Sequence, residues 1–74
     1  MVDKEYIERM KRYDIRTLPL YLQISIKDYI KVCEDNNLLR MGDYYTDLMS
    51  SINCAQWDEE LPMNIINELR DLFQ

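Results

Sequence analysis

The sequence predicts an all-α fold, a small orthogonal bundle of about four helices with a short extra helical turn near residues 18–23. Three observations carry this expectation. Apolar residues recur at spacings of three and four along most of the 74-residue chain. One glycine and two prolines leave few backbone breakers, so the connections are short. Residues that start or stop helices (Asp3, Ser25, Asn36, Asn37 and two Leu-Pro steps) fall between the periodic stretches.

The first helix is expected to begin after Asp3, whose carboxylate can accept from a first-turn amide, with Val2 placed to staple against Ile7. Val2, Tyr6, Met10 and Tyr13 draw its apolar stripe. Glu5 with Arg9 and Glu8 with Arg12 are i,i+4 pairs in the favourable order.

Residues 14–25, DIRTLPLYLQIS, read two ways. Pro19 fits the first turn of a helix with Thr17 or Leu18 as cap, giving one turn before Ser25 caps the next helix. Leu20, Leu22, Ile24 and Ile26 also alternate with Tyr21, Gln23 and Ser25, the period of a half-buried strand. Such a strand would need a partner from another chain, because no second strand signal exists.

Ser25 followed by Asp28 forms a capping-box pattern, and the helix after it, Ile26 to Asp35, aligns Ile26, Tyr29, Ile30 and Cys33. Asp35, Asn36 and Asn37 supply its stop. The third helix steps through Met41, Tyr45, Leu48, Ile52 and Ala55 and is expected to be central. The fourth opens with Pro62 at its first position and buries Ile65, Ile66, Leu69, Leu72 and Phe73.

The stretch "SINCAQWDEELP", residues 51–62, packs a thiol, an indole, three consecutive acids and a proline together. Trp57 would point away from the core if the third helix ran through it. The expected geometry instead ends that helix near Ala55 or Gln56 and lets Trp57 fold back onto the core or meet a partner. Asp58, Glu59 and Glu60 would then precede the fourth helix, whose free amides and positive dipole end favour carboxylates. A helix-to-helix corner explains the stretch before any function does.

A chain this short makes one domain, residues 1–74, burying about 60% of the surface its unfolded form exposes. Cores of this size commonly lean on an oligomeric partner, so a homodimer is compatible with the sequence. The absence of histidine and the count of two cysteines exclude metal sites built on imidazole or on four thiolates within one subunit, and no metal or cofactor is expected. No apolar run reaches membrane-spanning length and the N-terminal stretch lacks a secretory h-region, so cytoplasmic residence with free thiols, and no membrane partner, is the expectation.

Catalysis is not expected. Cys54 lies near a helix carboxyl end with acids after it, which disfavours a thiolate, and Cys33 reads as core. Asp43 with Asp47, and Glu59 with Glu60, are paired carboxylates without the desolvated cleft that acid–base work requires. One glycine cannot supply a phosphate-cradling loop.

Charge is unevenly placed within the net −5. Residues 1–31 hold seven basic side chains against five acids, and residues 32–74 hold two against nine. An acidic second half favours a basic protein partner and disfavours nucleic acid. Tyr21, Tyr44 and Trp57 lie near the edges of the apolar faces, where an interface would use aromatic residues. With Asp58, Glu59 and Glu60 they form the candidate partner-binding set of a non-enzymatic regulator or inhibitor, the kind of small chain that phages and mobile elements often encode.

Residues 20–53, an alternating LYLQISI followed by two helices, resemble the ribbon-helix-helix family of DNA-binding repressors. That resemblance implies a dimer with paired strands and Tyr21, Gln23 and Ser25 directed at base edges. None of these three is basic, and the helices are acidic. A purely structural homo-oligomeric subunit is a further alternative, needing no site at all.

Overall fold

The computed structural model describes residues 3–73. Among them four helices and no strand are present: α1 (Lys4–Arg12), α2 (Leu20–Glu34), α3 (Leu38–Trp57) and α4 (Met63–Phe73). The all-α bundle expected from periodicity is the fold.

Asp3 caps α1, its carboxylate accepting from the amide of Glu5 at 3.0 Å. The staple from Val2 to Ile7 lies outside the described residues. Glu8 and Arg12 approach to 3.6 Å, whereas Arg9 sits over the Tyr6 ring, 5.7 Å from its centroid. After α1 the chain is pinned by Asp14, whose carboxylate accepts from the amide and the guanidinium of Arg16 at 3.0 to 3.1 Å. Leu18 then drops into the core.

The ambiguous segment is helix. Its extra turn is present but merges with the helix expected from Ile26, so α2 runs unbroken from Leu20 and Ser25 lies in mid-helix instead of capping a new one. The reason is at Pro19, whose carbonyl accepts from the amides of Leu22 and Gln23 at 3.0 and 3.1 Å and starts the helix a turn and a half before Ser25. Pro62 repeats the arrangement for α4, accepting from Ile65 and Ile66 at 3.0 and 3.1 Å. Both prolines thus occupy the residue before the helix, one position earlier than expected for Pro62. Without a strand at residues 20–26, the ribbon-helix-helix resemblance loses its ribbon.

Helices α2 and α3 form a tight hairpin, with the Ser25 and Ser51 hydroxyls 3.3 Å apart where the backbones approach. The turn between them is a Schellman motif: Asn36 takes the left-handed conformation (φ 53°), its amide donating to Cys33 and that of Asn37 to Val32. Helix α1 meets α2 and α4, and α4 meets α3, closing a ring in chain order. Inside it Met10, Leu22, Ile26, Leu48, Ile52, Ala55, Ile66, Leu69 and Phe73 are fully or almost fully buried. The core contains no buried charged side chain among the described residues, and Tyr29 meets Tyr45 and Phe73 in tilted and edge-on contacts at 5.7 and 6.1 Å.

Candidate functional site

The corner between α3 and α4 is where most of the candidate residues meet. Helix α3 does not stop at Ala55 or Gln56 but continues through Trp57. One hundred degrees per residue then turns the indole away from Ile52 and Ala55, and Trp57 is 84% exposed. The expected fold-back onto the core does not occur: α3 runs one or two residues beyond the expected end, and the amides of Asp58, Glu59 and Glu60 bond back to the carbonyls of Cys54, Gln56 and Ala55.

A second Schellman motif ends α3. Glu59 takes the left-handed conformation (φ 54°), its amide donating to Gln56 and that of Glu60 to Ala55. Asp58 and Glu59 therefore close the carbonyl end of α3 instead of capping α4. Carboxylates there oppose the dipole of α3, and although the three acids do precede α4, none of them accepts a hydrogen bond from its first-turn amides among the described residues. Glu60 turns elsewhere: its carboxylate accepts from the Tyr21 hydroxyl at 2.6 Å, tying the start of α2 to the corner. Partial burial of the Tyr21 ring and that carboxylate contact push the phenol up to about 12. None of Asp58, Glu59 and Glu60 forms an ion pair among the described residues.

Beside Trp57 lies an open groove of about 810 Å³. Trp57, Leu61, Pro62 and Met63 give it an apolar wall, Glu59 and Glu60 an acidic rim, and Asn53, Gln56 and Arg70 its polar side. The Arg70 guanidinium donates to the side-chain oxygens of Asn53, at 2.8 Å, and of Gln56. It is a cation held by neutral amides, not by the neighbouring acids.

Tyr21, Trp57, Asp58, Glu59 and Glu60 are thus brought to one end of the bundle. Tyr44 is not: it lies toward the start of α3, half-buried, with the Arg40 guanidinium 5.5 Å from its ring centroid. Arg70 and Met63 escape a reading of the sequence because they arrive from the next helix. Asn53, Gln56 and Trp57, at i, i+3 and i+4, are legible as one face. A separate apolar tip, Leu38 and the 93% exposed Leu39, marks the far end of the hairpin.

Cys33 is buried and its thiol is pushed up by that burial, while Cys54 is exposed; neither is in a disulfide. Among the described residues no group of three His, Cys, Asp or Glu side chains could hold a metal ion, and no helix is long and apolar enough to cross a membrane. The chain matches no protein-family profile, no curated protein and no solved structure. The chemistry of the corner carries the functional reading.

Proposed function

We propose that this chain is a small acidic protein-interaction module, a non-enzymatic regulator or inhibitor, that docks onto the basic surface of a protein partner through the α3–α4 corner. The observation that carries the reading is the 84% exposure of Trp57 beside three carboxylates with no cation of their own among the described residues. An indole left in water forgoes the burial that large aromatic side chains usually obtain, and interfaces are enriched in such anchors. The acids around it would select a partner and speed its approach. The two unpaired cysteines support a reducing, cytoplasmic setting.

The test is capture from an extract of the source cell with the wild-type chain and with a D58K/E59K/E60K variant whose helical circular dichroism is confirmed. A partner retained by the first, released by moderate salt and lost with the second supports the docking site. Retention of the same partners by both chains removes it.

A further inference from the structure

The groove beside Trp57 also constrains what enters it, if the corner is a docking site as proposed above. An apolar side chain would suit Trp57, Leu61, Pro62 and Met63 but would desolvate Glu59 and Glu60 without pairing them, which is costly. An acidic side chain would meet two like charges. A lysine ammonium could pair with a carboxylate, yet it is strongly hydrated and presents no flat face to the ring. A guanidinium does both: its plane stacks on an aromatic face while its N–H edge stays free to donate to a carboxylate.

The molecule already places a guanidinium over an aromatic ring twice. Arg9 lies over Tyr6 and Arg40 over Tyr44, with the guanidinium carbon 5.7 and 5.5 Å from the ring centroids. Trp57, the chain's single tryptophan and the most favourable ring type for such stacking, has no cation over it among the described residues. The like charge in the groove, Arg70, is directed at Asn53 and Gln56.

We propose that the groove receives an arginine side chain from a basic segment of the protein partner, its guanidinium stacked on Trp57 and hydrogen-bonded to Glu59 or Glu60.

The probes are capped oligo-arginine and oligo-lysine peptides of equal length, titrated against the full chain at low salt while Trp57 fluorescence is followed. Oligo-arginine is expected to bind about fivefold more tightly than oligo-lysine and to shift the emission, in line with the usual strength of a cation–π contact. Calorimetry with Trp57→Leu, a folded variant by circular dichroism, should erase that preference. An E59Q/E60Q variant should weaken oligo-arginine about tenfold, as expected for loss of charge-assisted hydrogen bonds, while D43N/D47N, the same charge removed from exposed sites farther back on α3, should cost under about twofold.

Equal affinity for the two peptides, with the two charge-neutralised variants equally weakened, overturns the arginine assignment while leaving an acidic docking module intact. Failure of both peptides to bind at low salt removes both readings.

Discussion

The hydroxyls of Tyr6 and Tyr29 lie 3.3 Å apart, and because Tyr6 spends its single proton on the Phe73 carbonyl at 3.1 Å, Tyr29 must be the donor between them. One phenol therefore ties α1 to α2 and to the end of α4. Burial first, then the bond to Tyr6, pushes the Tyr29 phenol far above its ordinary value; burial likewise raises Tyr6, despite the bond it accepts from Tyr29. Both groups are acids whose folded pKa is raised, so their contribution is fully present below pH about 10 and is lost as pH climbs above it. Helical circular dichroism should hold to about pH 10 and fall beyond it. Tyr6→Phe should cost about 1 kcal/mol at neutral pH, lowering Tm by about 4–8 °C. Unfolding that begins well below pH 10 would contradict the hydrogen-bonded pair.

Gly42 lies inside α3 and a Cβ added there meets no atom within 4 Å. Gly42→Ala should stabilise the protein by about 0.5–1 kcal/mol through the unfolded chain's lost freedom. Thermal melts of the two proteins check this. A lower Tm in the variant would mean that the open side of α3 is covered by something.

Glu59 occupies a left-handed position (φ 54°) that glycine fills at less cost, whereas Asn36, at the matching position after α2 (φ 53°), is a residue type that tolerates it. Glu59→Gly should therefore raise stability by about 0.5–1 kcal/mol, and more than Asn36→Gly does. The same change removes a rim carboxylate and should weaken oligo-arginine binding. Opposite movement of stability and binding is the expected signature of a residue kept for its side chain.

Thiol titration separates the two cysteines. Cys54 is exposed and should react at once with a disulfide reagent in the native protein; Cys33, buried in the core with its thiol pushed up by that burial, should react only as the protein unfolds. Two fast thiols would place Cys33 outside the core. A native protein with no fast thiol would place Cys54 under a cover that the monomer lacks.

Much of the fold is legible in the sequence because three of the helices have one apolar side. Met10, Leu48, Ile52, Ala55, Ile66, Leu69, Leu72 and Phe73 are buried where periodicity places them. The start of α2 is not legible that way. Leu20 and Ile24 share the outer face and Leu22 and Ile26 the inner one, so two i,i+4 pairs interleave and imitate the period of a strand. The carbonyl of Pro19 settles the matter by starting the helix before Ser25 can cap one. At the corner, the outward angle of Trp57 is implied by its position on α3, but the fate of residues 58–60 depends on a left-handed Glu59, which residue preference does not predict. The groove needs Met63 and Arg70 from α4, a juxtaposition no spacing within one helix encodes.

Tryptophan fluorescence reads the outward direction of Trp57 on which the docking site depends, since Trp57 is the sole indole. In the isolated protein the emission should resemble that of the unfolded chain, be quenched freely by neutral acrylamide, and stay the same on dilution. A blue-shifted, quencher-protected emission that persists on dilution would place the indole against its own core and contradict the account; one that reverts on dilution would show the corner buried between copies of the chain.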